Sequence, residues 1–167
     1  MHRNKGSVFT TVLCCVALAA GATFAWRAVS ASGRGDDQSV SARLGGFDGI
    51  LAFLHTRAVP ALLADPQIAP FFAHPSVSAD DIEECLARLL DHDLGGPSQH
   101  NGAVTRSGHA CRSSMSNIHR GLQIPDGIVT RFLDIVRTEA LGAGVAAADV
   151  DVIIDRLDRY RGGTRNK

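Results

Sequence analysis

A chain of 167 residues with 45% hydrophobic content holds enough apolar mass for one core and not comfortably for two, so one domain is expected once any processed segment is set aside. The 17 basic and 17 acidic side chains balance formally, but residues 1–31 hold three of the bases (Arg3, Lys5 and Arg27) and no acid, leaving 14 against 17, a net of −3, for the remainder. That surplus of acid argues against a nucleic-acid partner.

Arg3 and Lys5 precede an uncharged apolar run from Val8 to Phe24, and Val29-Ser30-Ala31 follows as a small-x-small cleavage pattern. Residues 1–31 therefore read as a signal peptide. The run is long for a signal core and short for a comfortable span, and Trp26 and Arg27 suit an interface, so a retained transmembrane anchor is the alternative. Either reading exports the rest of the chain, as a free periplasmic protein or as one anchored in the inner membrane and facing the periplasm. Any membrane contact would run through this segment alone. Cys14 and Cys15 lack the small residues that a lipid-attachment box needs before its cysteine.

Residues 32–41, "SGRGDDQSVS", are small and polar without periodicity and read as a flexible linker. The domain is expected over 42–162, with 163–167 a polar tail. Phe47, Ile50, Leu51, Leu54 and Ala58 form a helical stripe up to Pro60, where a backbone donor is lost and the helix must kink or restart. "ADPQIAPFF" at 64–72 reads as a turn with at most one helical turn. Ser78, three residues before Asp81, then opens the clearest helix, whose stripe is Ile82, Cys85, Leu86, Leu89 and Leu90. Gly95-Gly96-Pro97 ends it.

Residues 97–112, "PSQHNGAVTRSGHACR", make a long polar connection of the kind that is functional or pinned. Cys85 and Cys111 are the two cysteines of the exported part. A bridge between them would close a loop of roughly 25 residues and add about 3 kcal/mol, and two buried thiols are the alternative. His100 and His109 read as solvated loop residues, with a sixth iron ligand or a small zinc or copper site as the other reading. His92, between Asp91 and Asp93, is placed on the outer side of its helix.

In "MSNIHRGLQI" at 115–124, Met115, Ile118, His119 and Leu122 share one helical face, so His119 points inward. It is either a core histidine satisfied by one carbonyl or an iron ligand whose other nitrogen donates one turn back, near Met115. Ile128, Phe132, Ile135 and Val136 then define a helix to about Leu141, and Val150, Ile153, Ile154, Leu157 and Tyr160 the last one. No segment alternates with period two, and the fold class is all-α.

"RLGG" at 43–46, "LLADPQIAPFF" at 62–72, "LGGP" at 94–97 and "MSNIHRGLQI" together resemble the truncated hemoglobins of group I, in that family's order, over about residues 39–160. The resemblance implies a globin-like two-over-two helical sandwich that binds heme. It assigns His119 as the proximal metal ligand and Phe72 as the phenylalanine against the porphyrin. Ile82 and Leu86 become the distal-face residues, with Met115 and Leu122 flanking His119 in the cofactor pocket. Without a C-x-x-C-H sequence the cofactor would be non-covalent heme b, and Arg112 or Arg120 could meet a propionate.

Two departures from the family bear on function. Where group I members have a Phe-Tyr pair whose hydroxyl bonds the gas ligand, this chain has Ala58 and Val59, with an apparent one-residue insertion nearby. Ile82 and Leu86 stand where polar side chains are common. The implied function is binding of a diatomic gas (O2, NO or CO) in an unusually apolar distal pocket, with weak retention of oxygen. An enzyme of peroxidase or NO-dioxygenase type would need a polar distal group, so catalysis is not the favoured reading, and no redox partner is identified. The alternative class is a degenerate globin-fold interaction module without heme.

Overall fold

The computed structural model describes residues 38–73, 77–112 and 114–165, so the stretch read as a signal or anchor and most of the stretch read as a linker lie outside the described residues. The described residues are helical, with one isolated antiparallel bridge, Val104 to Ala110, and no strand. The architecture is the expected all-α, globin-like one.

The fold begins earlier than the polar composition of 32–41 suggests. Ser39 caps α1 (Val40–Arg43) by accepting the Ala42 N–H, and Ser41 is 1% exposed. Its hydroxyl donates to the carboxylate of Asp91, fifty residues on. Asp91 itself is fully buried and not on an outer face. Burial pushes its pKa up, but the Ser41 hydroxyl and the Ser98 N–H, 3.0 Å from Oδ2, outweigh that and hold it below the usual carboxylate range.

The apolar stripe from Phe47 forms α2 (Gly46–Phe53) and continues through Pro60 without a break. Leu54–Ala58 widens into a π-helical turn, and α3 (Val59–Ala64) follows directly with Pro60 as its second residue. A π turn takes up one residue more than an α turn. Ala58 and Val59 have their side chains in the core, at 0% and 1% exposure. After the short α4 (Ala69–Phe72), α5 spans Ala79–Asp93, with Ser78 accepting the Asp81 N–H at 3.1 Å. Gly95, at φ +87°, ends it.

Beyond the long connection come α6 (Met115–Ile118), α7 (Asp126–Gly142), α8 (Ala147–Asp158) and α9 (Arg161–Thr164). α9 carries helical structure into the stretch read as a polar tail. α2 packs on α5 and α7 on α8, while the π turn touches α5 and α7 and α5 meets α8. These two helix pairs share one core that includes Ile50, Leu54, Leu90, Leu133, Val136 and Val150.

Candidate functional site

A cavity of about 500 Å³ lies between α5, α7 and the segments that carry α6 and α9. Its size suits a small-molecule or cofactor site. His119, Phe72, Ile82, Leu86, Met115 and Leu122, the six residues singled out from the sequence, all line it.

His119 arrives there by a shorter helix than its stripe implies. α6 is a single turn capped by Ser114, which accepts the Asn117 N–H at 3.3 Å, and His119 is already its C-cap. Gly121 at φ +82° and Gln123 at φ +50° then turn the backbone out of the helix. Leu122 keeps its place on the cavity wall through this turn, and Ile124 is buried at 4% exposure.

The Met115 carbonyl accepts two bonds from His119, from the backbone N–H at 3.0 Å and from Nδ1 at 2.9 Å. A proton on Nδ1 fixes the tautomer and leaves the Nε2 lone pair for another partner. Burial lowers the imidazole pKa against the opposing Met115 bond, which favours the neutral ring. A neutral imidazole with one nitrogen anchored is the form that ligates a metal.

On α5, Ile82, Leu86 and Leu89 give the cavity an apolar wall. From α7, Ile128, Val129, Phe132 and Leu133 do the same. Ala58 and Val59 contribute nothing to the lining.

The long connection is pinned, and the bridge considered from the sequence is what pins it. Cys85, on the cavity wall, is disulfide-bonded to Cys111 across a separation of 26 residues, with Cα atoms 5.4 Å apart. Residues 103–111 double back as a small hairpin in which Thr105 and Cys111 donate N–H bonds to the carbonyls of His109 and Ala103, both at 2.8 Å. Asp81 accepts the hydroxyls of Thr105, at 2.6 Å, and Ser107, and Glu84 accepts the Arg106 N–H at 3.1 Å.

Asp81 is thereby held far below the usual carboxylate range by the hydroxyls of Ser107, Thr105 and Ser78. For Glu84, burial raises the pKa, and the Arg106 N–H and Arg88 outweigh it.

His100 is not solvated. It is 8% exposed, and its ring bridges the carbonyls of Cys85, at 3.1 Å, and Arg112, at 2.9 Å. His109 also lines the cavity, as do Arg112, Tyr160 and Thr164. Arg120 instead bonds Asn117 at the surface. Thr164 escapes sequence reasoning because it falls in the stretch read as a polar tail, whereas His109 is anticipated only as an alternative iron ligand and Tyr160 only as part of the last helical stripe. Outside the cavity, His55 on the π turn pairs with the buried Glu83 at 2.8 Å, and burial places that carboxylate where no motif marks it.

No family model and no curated protein sequence matches the chain. Among solved structures it is similar to truncated hemoglobin from Tetrahymena pyriformis, in the Fe(III) forms of three mutants of that protein. For each of the three the identity is 19% and the TM-score 0.64, over 78% of this chain and all of the other. The chain has the fold of a truncated hemoglobin.

Proposed function

We propose that this protein binds heme b non-covalently in the cavity between α5 and α7, with His119 as the residue that would ligate its iron, and that it binds a diatomic gas there. The observation that carries the reading is His119 itself, an imidazole anchored through Nδ1 on an apolar wall. The cavity also fits the chemistry of the group. A porphyrin face is apolar, and Ile82, Leu86, Phe72 and Phe132 supply apolar surface. Its carboxylate edge needs cations, and Arg112 is on the lining.

Heme supplies an iron coordination position at which a gas can bind. The chain supplies the ligand nitrogen, the exclusion of water and the polarity around the gas. Ile82 and Leu86 offer no hydrogen bond, and one such bond to a charged partner is worth about 1.5–3 kcal/mol, or roughly tenfold to a hundredfold in affinity. As far as Ile82 and Leu86 set the polarity around the gas, oxygen is retained weakly and CO or NO relatively better. The Cys85–Cys111 bond supports the reading of an exported, periplasmic domain.

The test is an absorption spectrum of ferric, ferrous and CO-treated protein made with heme available, followed by extraction of the pigment into acidified organic solvent. A heme spectrum with fully extractable pigment is expected, and slow oxygen release from the ferrous form would contradict the apolar-pocket reading. A folded helical protein without heme affinity would point to the interaction-module alternative.

A further inference from the structure

Two histidine rings besides His119 line the cavity, and they differ in what their nitrogens already do. Both ring nitrogens of His100 are engaged by the carbonyls of Cys85 and Arg112. The ring of His109 makes no hydrogen bond or ion pair among the described residues, and only its backbone is engaged, through Thr105. His109 is half-buried, and a ring on the cavity wall with neither nitrogen engaged by the protein can turn to a metal or a polar ligand in the cavity as well as to water.

The segment that carries His109 is tied down far more heavily than a solvent loop needs. The disulfide fixes Cys111, two residues after His109, to α5. Thr105 and Ser107 reach Asp81, Arg106 reaches Glu84, and the bridge from Val104 to Ala110 closes the hairpin. Every tie to α5 lands on the stretch that also presents Ile82, Cys85 and Leu86 to the cavity. His119, by contrast, stands at the end of α6, which packs on α9. Two imidazoles thus enter one cavity from two independently anchored supports.

We infer that His109 is a second iron-directed ligand, held over the cavity by the disulfide-pinned hairpin, which competes with the gas for the position not taken by His119. This rests on the heme reading above. Binding would then proceed from the fraction of molecules in which His109 is displaced, and apparent affinity falls by that fraction. In Cys85→Ser/Cys111→Ser the hairpin keeps its bonds to Asp81 and Glu84 but loses its covalent tie, so coordination by His109 weakens and is not abolished.

The full-length protein is titrated with hemin, and ferric and dithionite-reduced spectra are recorded for wild type, His109→Ala and the double cysteine variant. The wild type is expected to be six-coordinate and low-spin in both oxidation states. His109→Ala should take up the same amount of heme yet turn high-spin and bind CO about tenfold faster or more. The double variant should be a mixture of the two.

A wild type that is already high-spin overturns the inference and leaves the heme reading intact. A low-spin state that survives His109→Ala does the same, because another group is then the ligand. Absence of a Soret band in the wild type overturns both.

Discussion

The Nδ1 nitrogen of His119 lies 2.9 Å from the carbonyl oxygen of Met115, one helical turn back, and the backbone N–H of His119 donates to the same oxygen at 3.0 Å. One acceptor therefore orients the ring twice over, through its backbone and through its side chain. His119→Gly should lower hemin affinity by more than about a hundredfold, beyond what loss of a partner behind a metal ligand costs. Added imidazole should restore part of the heme spectrum by filling the space the side chain leaves. Unchanged hemin affinity in His119→Gly would count against ligation.

The disulfide joins α5 to the hairpin across 26 residues, and loop entropy assigns such a closure about 3.5 kcal/mol. Cys85→Ser/Cys111→Ser should melt lower by on the order of 10 °C while keeping its helical circular dichroism. A melting temperature within experimental error of wild type would show that Asp81, Glu84 and His100 hold the loop unaided.

Asp81 carries the clearest pH dependence. Its folded pKa lies below the unfolded value because three hydroxyls, from Ser107, Thr105 and Ser78, bond the charged form. Its contribution to stability is therefore complete above the unfolded carboxylate pKa and is lost as pH falls from there toward the folded value. Hydrogen exchange at the amides of Thr105, Arg106 and Cys111 should accelerate as pH drops below about 4, relative to unstructured controls. Asp81→Asn should show the faster exchange already at neutral pH, and protection equal to wild type in that variant would refute the role.

Tyr160 is the single tyrosine of the chain. Burial and its 2.6 Å bond to Asp93 push its pKa up to about 12. A raised pKa means that its contribution is present in full below the unfolded value near 10 and is lost as pH rises toward 12. The phenolate absorbance of the native protein should therefore appear about two units later than in guanidinium, and coincident titrations would show that the contact with Asp93 is absent in solution.

Much of this arrangement is legible in the sequence where local chemistry decides it. Ser78 and the stripe from Ile82 to Leu90 define α5, and the same stripe supplies the cavity wall. The spacing that points His119 inward is one that the helix does not in fact sustain, since α6 ends at Ile118 and the turn at Gly121 and Gln123 carries Leu122 to the wall by another route. On α7 the periodicity selects Ile128, Phe132, Ile135 and Val136, whereas the buried line is Val129, Leu133, Val136 and Ala140. Ile128 and Phe132 are instead on the cavity side.

What stays hidden depends on partners far apart in the chain. Asp91 is buried because Ser41 and Ser98 satisfy it, and Asp81 because the hairpin brings two hydroxyls to it. Periodicity alone reads such acids as solvated. His100 likewise looks like a polar loop residue unless the loop's path, which folds it against two carbonyls, is known.

Stepwise addition of hemin to the purified protein, followed by absorbance against a protein-free blank, tests the central claim most directly. Saturation at one heme per chain, with a sharp Soret band that shifts on reduction and again on CO, is the predicted result. A titration that follows the blank throughout, from a protein whose circular dichroism shows it folded, would contradict the account.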